Sequence, residues 1–345
     1  MYTNNPLVLV TGAAGQVGSI GRTIVRTLIK LGVPVRAFVR SDDERAESLR
    51  QMGADVFVGD LLSPRDVTEA LKGCRRVYFS MSLSPSYADA TIIMASACKA
   101  QGDIELLCNM SDYEQIYMTL QTMAGSNEER IAILGADVQW SPQQRAHWVS
   151  EQALDWSGLP VVHIKAAMFV ENPITLWLPA ATVKENDTIR LPFGQARTAL
   201  VATVDVAAVC VKVLVEGSAH AGRAYELTGP TRKDWHEYAE DVSAALGREI
   251  KYVSISIEEF GDLLRTTIPN IPDHNYRHLM NLAIQNGGGR YVAEVSNHIE
   301  TLLGRPATGF REVIEAEAWR FERGTPASYE HRELAIMRRI NRSTV

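Results

Sequence analysis

Residues 11–22, TGAAGQVGSIGR, carry glycines at positions 12, 15, 18 and 21. The apolar run at residues 6–10, PLVLV, precedes them and suits a strand buried on both faces. Residues 23–29, TIVRTLI, follow, with Ile24, Val25, Leu28 and Ile29 on one helical face. Residues 33–39, VPVRAFV, read as a second strand. Strand, glycine loop, helix and strand in this order predict a parallel crossover whose first turn cradles a dinucleotide pyrophosphate. The first glycine allows the tight turn, the second lets the phosphates approach the backbone, and the third lets helix and strand pack closely. Gly12 and Gly15 take the first two roles, and either Gly18 or Gly21 takes the third. The helix N-terminus adds free N–H groups and partial positive charge.

The second strand ends at Arg40-Ser41, where an NAD site usually carries an acid. A guanidinium forms charge-assisted bonds to a 2′-phosphate, and Ser41 can add another, so NADP(H) is favoured. Asp42 and Asp43 come next and keep NAD(H) as the alternative.

The alternation continues. Residues 54–58, 76–80, 104–108, 161–164, 198–203 and 224–227 read as strands. Residues 65–72, 88–101, 143–157 and 205–216 read as helices, with Ser63-Pro64 and Ser141-Pro142 as start signals. This pattern predicts an α/β fold with a doubly wound parallel sheet, and ligands at the carboxyl ends of its strands. Between residues 111 and 144 the pattern loosens, although residues 113–123 could form a helix. Beyond Pro230 the chain reads as mostly helical, with breaks at IPNIP (residues 268–272) and NGGG (residues 286–289). The expected division is residues 1–170 plus about 198–230 for the nucleotide, about 171–197 plus 231–325 for a smaller, mostly helical substrate domain, and a tail at 326–345.

A net charge of −6 gives no electrostatic reason to expect nucleic acid as a partner. No apolar run approaches the length of a membrane span, and the start of the chain lacks a signal-peptide pattern. Cys74, Cys98, Cys108 and Cys210 show no metal-ligand spacing, so no metal site is expected. They read as reduced and mostly buried in a cytoplasmic protein. The expected partner is a small-molecule substrate, with a homo-oligomer left open.

The motifs TGAAGQVG, VRAFVR, GADVFVGDL, SGLPVVHIKAAMFVENP and AGRAYELTGP, in this order, resemble the NmrA-like family of atypical short-chain dehydrogenases/reductases. The resemblance runs from about residue 7 to residue 323. It implies a Rossmann domain, a small C-terminal substrate domain and, usually, NADP(H). Arg40 stands where members place an arginine near the 2′-phosphate. Asp60 and Leu61 match the segment beside the adenine, and Ser80, Met81 and Ser82 match the loop after the fourth strand. With Thr11, Gly12, Ala14, Gly15, Gln16, Val17, Gly18, Ser41 and Met110, these form the expected cofactor contacts. The chain departs from the family pattern in three places. The loop near Gly18 is longer, Lys165-Ala-Ala replaces the common Arg-Pro-Gly, and the segment 111–144 is extended.

No lysine follows a tyrosine by four residues, so the tyrosinate chemistry of ordinary short-chain dehydrogenases is not expected. The corresponding helix carries His147 and Glu151, four apart on one face. His147 matches the place where related reductases put a lysine or histidine. It is the candidate proton donor, or hydrogen-bond donor to a carbonyl, with packing or a ribose contact as the alternatives. Tyr113 and Tyr117 are further candidates to donate a proton or stack on a substrate. Phe169, Asn172 and Trp177 are candidate substrate contacts. The expected activity is NADPH-dependent hydride transfer to a small apolar or aromatic quinone, enone, imine or carbonyl. A non-catalytic NADP(H) sensor and a redox-neutral isomerase or cyclase are the alternatives.

Overall fold

The computed structural model describes residues 5–15, 19–134, 140–287 and 294–325. Expectations for Gln16, Val17, Gly18 and the tail 326–345 lie outside the described residues.

Nine strands are present among the described residues: β1 (Leu7–Val10), β2 (Val35–Val39), β3 (Asp55–Val58), β4 (Cys74–Phe79), β5 (Leu106–Asp112), β6 (Val161–Ala166), β7 (Thr188–Leu191), β8 (Arg223–Leu227) and β9 (Lys251–Ser254). Seven of them form one sheet in the order β3-β2-β1-β4-β5-β6-β8, with every pair parallel. Parallel pairing requires a crossover between strands, and the alternating helices supply it. Strand side chains alternate between the two faces. On β1, Val8 and Val10 join one core and Leu9 the opposite one. The helices Ile20–Lys30 and Thr203–Glu216 pack together on the Val8 face. The helices Pro64–Leu71, Tyr87–Gln101 and Pro142–Ser157 cover the other face, with Leu154 reaching the Leu9 core.

Helix starts follow the local chemistry. Ser63 accepts from the Asp66 N–H, with Pro64 in the first turn. Ser141 does the same for Gln144 ahead of the helix that carries His147. All four cysteines are free and buried. No described helix is long and apolar enough to cross a membrane.

A second core lies beyond the sheet. It joins residues that follow β6, among them Met168, Ile174 and Leu176, to Trp235, Tyr238, Phe260, Leu279 and Phe310 from the later helices. The short parallel sheet of β7 and β9 belongs to it and was not anticipated, because two four-residue strands about sixty residues apart carry little periodic signal. Residues 198–203 do not form a strand. Thr198 makes an isolated bridge with Lys233 and Val201 another with Phe169, and the helix begins already at Thr203. The segment is apolar because it runs through the core between the two layers. Residues 113–123 do not form one helix either. A 3-10 turn, Tyr113–Tyr117, gives way to a short helix, Leu120–Ala124, which Thr119 caps afresh. β5 continues four residues beyond the expected end at Cys108, carrying Ser111 and Asp112 to the sheet's edge.

Candidate nucleotide and substrate cavity

The strand order reverses between β1 and β4, and the loops that follow these two strands meet there. Thr11 clamps them. Its hydroxyl donates to the Ser80 carbonyl at 2.7 Å and accepts from the Ser80 N–H at 2.8 Å. Thr11 is therefore buried support for the loop.

The glycine question has a geometric answer. Gly12 adopts φ +64°, which a side chain disfavours, and a Cβ there would sit 3.0 Å from the Ser80 carbonyl oxygen. A Cβ on Gly15 would lie 3.1 Å from the Gly12 oxygen. At Gly21 a Cβ would lie 2.6 Å from that same oxygen, so Gly21 is the residue that lets the first helix seat against the turn. The first turn of this helix holds no acidic residue, and the Ser19 side chain makes no cap hydrogen bond to it. A cradle of backbone beside a helix start without acidic side chains fits an anionic diphosphate.

From this cradle a single cavity of about 540 Å³ extends across the strand ends. Gly12, Ala14, Gly15, Ser80, Met81, Ser82 and Met110 line its first half. Ser111 and Asp112 at the end of β5, and Ala166 and Ala167 at the end of β6, form its waist. Phe169, Asn172 and Trp177, with Ile268, Ile271, Pro272, Leu279 and Leu282 from later in the chain, line the rest. The volume and the mixed lining are those of a small-molecule site. Asn172 also has a local duty. Its Oδ1 accepts from the Ile174 N–H and starts the π-helical turn Pro173–Trp177.

His147 lines the waist, its ring 4.3 Å from that of Tyr87. Burial pushes its pKa below the ordinary value, against the opposing pull of Asp112 and Glu151. His278 enters from the helix Asp273–Gly287, and burial pushes it down to about 4. Its Nδ1 lies 2.8 Å from the Ser141 hydroxyl. Glu151 turns away from the cavity. It pairs with Lys165 at 2.9 Å and accepts from Ser111 at 2.5 Å and from Gln115.

Several expected site residues do not line this cavity. Tyr113 is buried in the sheet's core and does not line the cavity; the turn that begins at this residue carries the ring inward. Tyr117 ends the same turn, partly exposed and also outside the lining. Arg40 and Ser41 are exposed beyond the end of β2. Asp60 spends its carboxylate on the Leu62 N–H, and Leu61 packs against the core on the far face. Arg45, unnoticed in the sequence, does line the cavity. It donates to the Ala14 carbonyl and pairs with Asp43. Asp112, Tyr87, Asn275 and His278 were also missed. Only the break at residues 268–272, which turns the following helix back over the sheet, hinted at the last two.

Comparison with known proteins agrees with this geometry. The family model described as NAD(P)H-binding matches residues 12–216, more than half of the chain. The chain is 27% identical to the NAD(P)H azoreductase of Xenophilus azovorans over 317 residues, which cover 91% of this chain and 99% of that protein. The structure of the NADPH-dependent quinone oxidoreductase QOR2 of Escherichia coli, complexed with NADPH, superposes with a TM-score of 0.71 at 22% identity, covering 90% of this chain and 99% of that one. The negative transcriptional regulator NmrA, in complex with NADP, superposes with a TM-score of 0.72 at 16% identity, covering 94% and 99%. A backbone cradle at the switch point, the 3-2-1-4-5-6 order extended by one strand, and a matched family model together place the chain in the NAD(P)H-binding family, as an NmrA-like atypical short-chain dehydrogenase/reductase.

Proposed function

We propose that this protein uses NADPH to reduce a small apolar, conjugated or aromatic electrophile: a quinone, enone, imine or carbonyl. One observation carries the reading. The nucleotide cradle opens without interruption into a cavity also lined by Trp177, Ile271 and Leu279. When bound, the cofactor supplies the hydride.

The chain's own residues do the rest. Gly12, Ala14 and Gly15 offer backbone to the diphosphate, and Arg40 and Arg45 offer charge for the 2′-phosphate. The apolar walls exclude water and hold a flat substrate at the waist. His147, kept neutral by burial, donates a hydrogen bond to the oxygen or nitrogen on which negative charge develops. A conjugated electrophile spreads that charge and needs no strong acid nearby. The azoreductase and quinone oxidoreductase among the relatives support this substrate class. We assign the residues before Ala167 to the nucleotide and the later wall to the substrate.

The test is turnover. Purified protein with NADPH and a panel of quinones, enones, imines and azo compounds should consume the reduced nicotinamide. Tight NADP binding without turnover on the whole panel would replace this reading with that of a sensor.

A further inference from the structure

We infer that Gln143 is a positioning residue that locks His147 in its neutral form with the proton on Nδ1, so that His147 acts as a hydrogen-bond donor and not as an imidazolium acid. The inference rests on the reductase reading for its catalytic meaning, but not for its structural content.

One donor beside Gln143 has an unambiguous identity. The backbone N–H of Ser84, in the loop after β4, donates to Oε1 of Gln143 at 3.1 Å. A backbone N–H cannot accept, so this bond fixes which end of the amide is oxygen. The same oxygen lies 2.7 Å from Nε2 of His274, which must therefore carry a proton and donate. The amide nitrogen then points the other way, 3.1 Å from Nε2 of His147. An amide NH₂ only donates, so His147 Nε2 must accept, and the ring proton resides on Nδ1.

Protonating His147 would set two donors head to head at this contact. Turning the Gln143 amide over would relieve it, but only by setting its NH₂ against the Ser84 N–H and the His274 N–H. Gln143 is fully buried and water cannot fill in for the lost bonds. The groups around His147 come from four elements. Tyr87 stacks on it from the helix Tyr87–Gln101, Asp112 faces it from β5, and Glu151 lies on its own helix. His274 and His278 come from the helix Asp273–Gly287. The two carboxylates favour a cation, whereas burial and the Gln143 donor oppose it.

The experiment uses the full chain labelled with ¹⁵N-histidine and long-range ¹H–¹⁵N correlation, with His147 assigned by comparison with His147→Asn. The expected spectrum shows an Nδ1–H ring that is neutral at neutral pH and takes up a proton only below the ordinary histidine range. An Nε2–H ring, or an imidazolium near neutral pH, would overturn the inference. Gln143→Glu keeps an acceptor for Ser84 and His274 but offers a second one to His147. It should move the proton to Nε2 and raise the His147 pKa by about one unit or more, a tenfold change in its protonation constant. Gln143→Ala should yield mixed tautomers. If both variants keep the wild-type spectrum, Gln143 is not the lock. In turnover, the pH profile of kcat/KM should gain a limb near neutrality in Gln143→Glu only. If no substrate is turned over, the reductase reading fails, and the spectra still decide the tautomer.

Discussion

The two halves of the cavity are built on different principles. The nucleotide half is made of main chain at the ends of adjacent strands, and side chains matter there mainly by their absence. At Gly12, Gly15 and Gly21 a single added carbon would meet the Gly12 or Ser80 carbonyl at 3.1 Å or less. The half we assign to the substrate is lined by bulky side chains, Phe169, Trp177, Ile271 and Leu279, delivered by segments far apart in the chain. The first half reads one feature common to a class of cofactors. The second is free to vary, because changing an apolar side chain reshapes the wall without disturbing the sheet.

The sharpest way to break this contrast is Gly21→Val. The branched side chain must push the first helix off the turn, and overpacking of this kind costs about 1–3 kcal/mol. NADPH affinity by calorimetry should fall by about tenfold to a hundredfold; unchanged affinity would show that the helix does not need to seat there. Trp177→Ala should do the converse. KM for an apolar electrophile should rise about tenfold, as for lost pocket contacts, while NADPH affinity stays within about twofold. A matching loss of cofactor affinity would erase the distinction between the halves.

Acid should loosen the substrate half through His278. Its folded pKa of about 4 lies below the ordinary value of 6.5, so the unfolded chain binds more protons between those two values. The neutral ring's contribution is complete above pH 6.5 and disappears as the pH falls toward 4. It is on the order of 3 kcal/mol. Thermal melts of His278→Gln should show a flatter pH dependence over this interval than the wild type. The smallest effect is expected at the nucleotide's outer end. Arg40→Ala and Arg45→Ala should each reduce the preference for NADPH over NADH by about fivefold, the scale of a solvent-exposed charge contact. If only Arg45→Ala does so, the cavity-lining arginine and not the exposed one reads the 2′-phosphate.

The same contrast explains what the sequence revealed. The glycine spacing, the apolar runs of β1 and β2 and the Ser-Pro helix starts are local signals, and each led to the element found. The third packing glycine stayed open between Gly18 and Gly21, because only the distance to the Gly12 oxygen decides it. His147 lines the cavity from the helix that begins after Ser141, an element the Ser-Pro start signal marks. Tyr113 and Tyr117 did not, because a 3-10 turn replaces the helix and rotates their side chains away. Asp112 was hidden by an underestimated strand, and His278 by a separation of more than a hundred residues from every strand-end it meets. No local pattern reports such a meeting.

The chain leaves the sheet after Ala166, builds a wall and a crossing helix, and returns at Arg223 to pair beside the strand it left. The part of the pocket lined by Phe169, Asn172 and Trp177 is thus housed in an excursion between two neighbours whose hydrogen-bond register is closed independently of it. Such an excursion can be trimmed, extended or exchanged with another donor's while the scaffold stays in step, which makes residues 168–202 the natural place to reshape one side of the cavity.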